Sequence, residues 1–223
     1  MLLMFMVAGI YFLRDLLTFA FSKLFIKVQA KTALSLLFSA SAAVLSAFLD
    51  ALTVIAVIIT VAVGLYGVYH RVVSSSHPGH EDDDAPHSPT REDHVQFRAF
   101  LRSLVMHAAV GTALGGVCTL VGEPQNLLIA EVMDWNFQEF FLKVAPVSMP
   151  VLAVGLLTCL LVERLGWFGY GAKLPTAVRA IIVHNDDEQR RDHNTATTVR
   201  LVIQGLVALL LVMGLALHVA EVG

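Results

Sequence analysis

The chain has 223 residues, 57% of them hydrophobic and only 15% charged, with a net charge of −3. A soluble domain carries roughly 25% charged residues, so this composition is built for lipid, and the expected fold class is all-α, a polytopic membrane helical bundle. There is no basic patch interleaved with aromatics, which argues against nucleic acid, and Cys118 and Cys159 lie inside apolar blocks, where they read as buried small residues without a disulfide or metal motif.

Five apolar blocks, Met1–Leu13, Thr32–Tyr69, Ser103–Ala130, Val144–Val162 and Leu201–Ala220, together hold two formally charged residues, Asp50 and Glu123. A helical span needs about 20 apolar residues. Residues 1–31 read as a truncated span followed by an amphipathic interfacial helix, whose Lys23, Lys27 and Lys31 have stems long enough to snorkel to water. Met1 opens without a basic leader, and both ends read as cut, so a fragment of a longer protein is expected.

Residues 32–70 are too long for one crossing, since the 38 residues Thr32–Tyr69 alone would run about 57 Å as a helix against a hydrocarbon core of roughly 30 Å. The segment must be two passes, a re-entrant hairpin or a helix projecting into water. Residues 71–102 read as a polar loop with His70, His77, His80, His87 and His94 in or beside it. Metal binding, pH sensing and a plain solvated loop all stay open for that stretch. Residues 103–133 predict a discontinuous transmembrane helix, 134–143 an external interfacial turn with Trp135, Phe137, Phe140 and Phe141, and 144–162 an ordinary span. Residues 163–200 read as a polar loop and 201–220 as the last span. Basic residues crowd the segments before position 32, across 71–102 and across 163–200, whereas the 134–143 turn has only Lys143. The positive-inside rule makes the first three cytoplasmic. Residues 32–70 must then enter and return, which selects a hairpin with Asp50 near its tip.

Two interrupted segments carry the chemistry. Around Ser46–Thr53 a turn at membrane depth leaves backbone groups unpaired, which is tolerated only against protein or a water-filled cavity. Asp50 there would bind a proton when desolvated and lose it to a bound cation. That competition is the minimal machinery of an antiporter. The alternative is a turn at the far aqueous face with Asp50 as a helix cap. Around Thr119–Asn126, Pro124 removes a helix donor and leaves the Leu120 carbonyl without a partner, Glu123 is pushed from helical backbone, and Gly122 permits backbone that other residues resist. Freed carbonyls, the Thr119 hydroxyl and the amide oxygens of Gln125 or Asn126 suit a hard cation such as sodium. A proline kink that serves packing alone is the alternative.

Met1–Tyr11 (MLLMFMVAGIY), Ser46–Thr53 (SAFLDALT), Gly67–Arg71 (GVYHR) and Gly111–Ala130 (GTALGGVCTLVGEPQNLLIA) closely resemble NhaB-type sodium/proton antiporters of the ion transporter superfamily. The resemblance runs through essentially the whole chain. It implies a multi-pass protein of the bacterial inner membrane, not an enzyme, exchanging sodium for protons without a cofactor. It also implies two inverted repeats, each a re-entrant hairpin followed by a discontinuous helix. Asp50 becomes the leading cation- and proton-binding carboxylate, with Ser46, Thr53 and Asn126 as oxygen ligands and Thr119, Gly122 and Glu123 beside them. Two departures stand out. Distant sodium-exchanging relatives often have Asn after the hairpin Asp, where this chain has Ala51. A complete member is also more than twice as long, so the carboxy-terminal repeat is an expected partner, with membrane lipid and, as an open alternative, a second copy in a homodimer; the chain alone is not expected to transport.

An anion carrier of the same superfamily fits less well, because its hairpin tip would lack an acid. An intramembrane protease would need paired aspartates or a serine beside His107. A purely structural subunit would be indifferent to Asp50.

Overall fold

The computed structural model describes residues 16–28, 30–75, 91–191 and 195–216. The opening apolar stretch, the loop histidines His77, His80 and His87, and the end of the last span lie outside the described residues. Every regular element among those described is helical: α1 (16–27), α2 (Lys31–Phe48), α3 (Ala51–Ser75), α4 (Arg91–Gly116), α5 (Pro124–Met133), α6 (Phe137–Leu165), α7 (Thr176–Arg191) and α8 (Thr195–Ala216).

The segment from 32 to 70 folds as two helices that turn at Leu49 and Asp50. Extended backbone at Leu49 stops α2, and its N–H closes the last turn on Leu45 O at 2.7 Å. α2 lies parallel to α4, with Ser39 against Gly111 and Ala43 against Gly115. α3 runs the other way along α4, its Tyr69 ring 5.3 Å from that of Phe97. The two arms are therefore an antiparallel hairpin with its tip at the carboxy-terminal end of α4. α2 has 18 residues and the apolar part of α3, Ala51–Val73, has 23, so each arm is long enough to cross a membrane, as is α6.

The α2–α4 seam is close because its side chains are small. A Cβ added to Gly111 or Gly115 would overlap the backbone of Ser39 or Ala43. Small residues let helices approach to backbone contact in lipid, where packing rather than hydrophobic exclusion holds helices together.

One apolar core gathers at the end of the bundle where α4 begins. Phe21 and Phe25 of α1 meet Phe38 and Phe100, with ring centroids 5.2 and 5.9 Å apart, and Val178 and Ile182 of α7 complete it. A smaller cluster of Leu120, Val121, Ala130 and Phe140 closes the other end. Its α6 begins with a capping box: Asn136 accepts from the Glu139 N–H at 2.9 Å, and the Glu139 carboxylate accepts from the Asn136 N–H at 3.0 Å.

Three stretches are more helical than the residue pattern suggests. Residues 71–75 and 91–102 extend α3 and α4, the turn expected over 134–143 shrinks to 134–136, and 163–200 contains the end of α6, all of α7 and the start of α8. The physical reason is amphipathicity. Phe97, Phe100, Val178 and Ile182 bury one face of helices whose other face is polar.

Candidate functional site

The turn between the two hairpin arms seats into the break between α4 and α5. α4 stops at Gly116, and residues 117–123 are irregular until Pro124 opens α5 as its first helical residue. Proline suits that position because the first helical N–H has no intrahelical partner anyway. The break therefore begins earlier than the loss of the Leu120 partner requires, and Leu120 itself lies in the irregular stretch.

Two hydrogen bonds tie the hairpin to α4 and the break, and three more brace the break itself. Ser46, 0% exposed, donates its hydroxyl to Thr112 O on α4 at 2.7 Å. The Thr119 hydroxyl donates to Ala47 O at the hairpin tip and accepts from the Gly122 N–H at 3.3 Å. Asn126 donates both amide hydrogens back across the break, to Gly116 O at 3.1 Å and Thr119 O at 2.7 Å. Because both partners are carbonyls, the NH2 end of Asn126 must face them, and Oδ1 is its acceptor end. Gly122 is packed so closely that a Cβ would overlap Gly116 O and lie 2.7 Å from Ser46 O.

Gly122 thus requires a correction. Its φ is not positive, unlike that of Gly166, Gly169 and Gly171. Glycine is needed there for the approach of backbone to backbone, not to relieve strain.

The two carboxylates sit differently. Asp50 is half-buried and caps α3, its Oδ2 accepting from the Thr53 N–H and hydroxyl, each at 3.2 Å. Glu123 has its Oε1 3.0 Å from where a Gly116 Cβ would stand, and the Ser46 Oγ is also 3.0 Å from that point. Gln125 donates to Glu123 Oε2 at 3.2 Å. The seven sequence candidates therefore fall into two neighbouring groups: Asp50 with Thr53 at the tip, and Ser46 of α2 with Thr119, Gly122, Glu123 and Asn126 at the break. Among the described residues, no hydrogen bond joins Asp50 to the break.

A second buried polar group joins two residues that the sequence does not connect. His107 on α4 and Glu163 on α6 are 2% and 1% exposed, with Nε2 and Oε2 3.1 Å apart. The Tyr170 ring lies over the imidazole at 4.8 Å. Glu163 falls one residue beyond the apolar block that ends at Val162, so it counts as the first loop residue when blocks are bounded by charge. α6 continues to Leu165, and only the three-dimensional pairing reveals it.

Apolar spans, a helical hairpin and a discontinuous helix closing on its tip define an all-α membrane bundle of the type in which broken helices frame a binding site. The family model described as Bacterial Na+/H+ antiporter B (NhaB) matches residues 1–223. The chain belongs to that family of antiporters. It is 59% identical to the Na(+)/H(+) antiporter NhaB of Teredinibacter turnerae over 100% of its own length and 45% of that protein. For the NhaB of Escherichia fergusonii the identity is 57%, covering 100% and 44%, and for that of Hahella chejuensis 56%, covering 100% and 46%. The chain thus spans somewhat less than half the length of these relatives. No solved structure matches it.

Proposed function

We propose that the chain is the amino-terminal half of a secondary transporter that exchanges sodium ions for protons across the bacterial inner membrane. The observation that carries this reading is the seating of the hairpin tip in the helix break, with hydroxyl, carbonyl and carboxylate oxygens concentrated there in otherwise apolar spans.

The hydrogen-bond directions favour a cation. Ser46, Thr119 and Asn126 commit their donor hydrogens to backbone carbonyls. Their remaining capacity is for accepting, which suits a hard cation with oxygen ligands. Asp50 supplies the negative charge, and proton and sodium compete for it. The Thr53 contacts hold its carboxylate in place without neutralising it. Sodium and the proton are cargo, and the mechanism calls for no cofactor.

The hairpin is read as re-entrant, with its tip held by the break rather than by the far aqueous face. Alternating access needs one bundle moving against another. In this reading the partner is a carboxy-terminal repeat, so this segment alone does not exchange ions. Surrounding lipid completes the expected assembly, with a second copy in a homodimer as an open alternative.

A second reading gives Glu123 the central role, favoured by its position against Gly116 and beside Ser46. The deciding experiment is sodium-driven proton flux in inverted vesicles containing the full-length parent protein, comparing wild type, Asp50→Asn and Glu123→Gln. Loss of flux in Asp50→Asn, with normal insertion, supports the first reading. Flux retained there and lost in Glu123→Gln moves the carboxylate to Glu123.

A further inference from the structure

His107 and Glu163 are 56 positions apart in sequence, yet they form one buried pair between α4 and α6. Removing two charges from water in a membrane bundle is costly, and an apolar pair of similar size usually serves stability as well or better. The pair needs another reason to exist. Its surroundings supply one. A cleft of about 810 Å³ opens between α4 and α6, lined by His107, Cys159 and Tyr170 at one end and by Leu114 and Pro150 at the other.

The pair lies toward the end of the bundle where the basic residues gather. On α4 it is five residues beyond Arg102, and on α6 it immediately precedes Arg164. His107 is nine residues before Gly116, which places it about 14 Å along α4 from the hairpin junction. The two polar sites thus share a helix without sharing a residue.

The groups that face the pair are identifiable on each packed element. α6 contributes Cys159, which also meets Ser39 of α2, and the turn after α6 contributes Tyr170. Lys31 of α2 donates to Gly171 O at 2.7 Å, and its Nζ and the Glu163 carbonyl both lie close to where a Gly171 Cβ would stand. Arg102 of α4 reaches Gly169 in the same turn. Arg102 and Lys31 thus both reach the turn that follows α6.

We propose that His107 and Glu163 form a second proton-binding site, separate from the hairpin junction, that sets the pH dependence of exchange. With the proton held, imidazolium faces carboxylate and the pair is neutral. Release passes that proton from His107 through the cleft to bulk water and leaves neutral imidazole beside a carboxylate. Reprotonation reverses the step. This inference rests on the exchange reading above, but its test reads a different quantity.

The test uses full-length parent protein in inverted vesicles, with Asp50 intact, and follows sodium-driven proton flux across about pH 5 to 8, the range in which histidine ordinarily titrates, and beyond it to the limits of activity. Glu163→Gln and His107→Gln should each move the pH of half-maximal exchange by about one unit or flatten the profile, with the sodium KM at the optimum unchanged. The double variant His107→Leu/Glu163→Met replaces the pair with apolar bulk and should show the same altered profile. Profiles that superimpose on wild type, at whatever level of activity, overturn the proposal. So does failure of the double variant to insert, because the ion pair is then a requirement of the fold. Failure of the exchange reading shows separately, as wild-type vesicles without flux or Asp50→Asn and Glu123→Gln vesicles that both retain it.

Discussion

The two sides of α4 are built on opposite plans. Toward α2, Gly111 and Gly115 bring backbone onto backbone, and the Ser46–Thr112 bond continues the seam to the hairpin tip. Toward α6, contact passes through side chains: Leu114 reaches over Gly155, His107 meets Glu163, and a cleft lies between. The first side has no volume to give, so it fixes the geometry of the junction. The second can repack, because its contacts end in rotatable groups. A site that must hold oxygens around a small ion belongs on the rigid side, and one that exchanges protons with water belongs beside the cleft.

This contrast can be broken most severely at Gly115. Gly115→Ala drives a methyl into the Ala43 backbone, where neither helix can turn aside. The destabilisation should reach or exceed the ~1–3 kcal/mol of ordinary overpacking. It is measured as loss of monodisperse protein on size exclusion in detergent. Gly122→Ala should be next. Its methyl meets Gly116 O and Ser46 O, so the tip is levered out of the break while the long helices stay packed. Exchange should fall strongly with helical circular dichroism near wild type, at a cost of about 1–3 kcal/mol.

Asn126→Ala sharpens the same side from within. It leaves Gly116 O and Thr119 O without their shared donor, an expected loss of about 1–3 kcal/mol, read as a lower thermal midpoint and weaker sodium dependence. Gly155→Ala is the control on the other face. Its methyl meets only the end of the Leu114 side chain, which can rotate away. Alanine also favours the helix by up to about 1 kcal/mol, so the thermal midpoint should stay within a few degrees of wild type. An effect at Gly155 as large as that at Gly115 would erase the distinction between the two seams.

The same contrast explains what a sequence can convey. Asp50 near the midpoint of an apolar segment and Gly122-Glu123-Pro124 inside another are local signals, because glycine, proline and an isolated acid change backbone behaviour where they stand. Even there, the role of Gly122 depends on Ser46 and Gly116, and no local rule reports a steric fit between distant backbones. The helical extension 91–102 is obscured because its charges mask Phe97 and Phe100 as a buried face. Glu163 is obscured more deeply. It lies next to Arg164 at the edge of an apolar block and reads as the start of a loop, and its partner is 56 positions away. Long-range charge pairing leaves no period or spacing to find.

The most direct test of the account measures competition at the proposed carboxylate. Purified full-length parent protein is titrated with sodium in weakly buffered solution while proton release is recorded, in wild type and in Asp50→Asn. If Asp50 is shared by cation and proton, sodium addition releases protons from wild type, and the apparent sodium Kd rises about tenfold for each pH unit below the carboxylate's own pKa. Asp50→Asn should release none on sodium addition. Sodium-linked proton release that persists unchanged in Asp50→Asn would contradict the account and remove Asp50 from the exchange site.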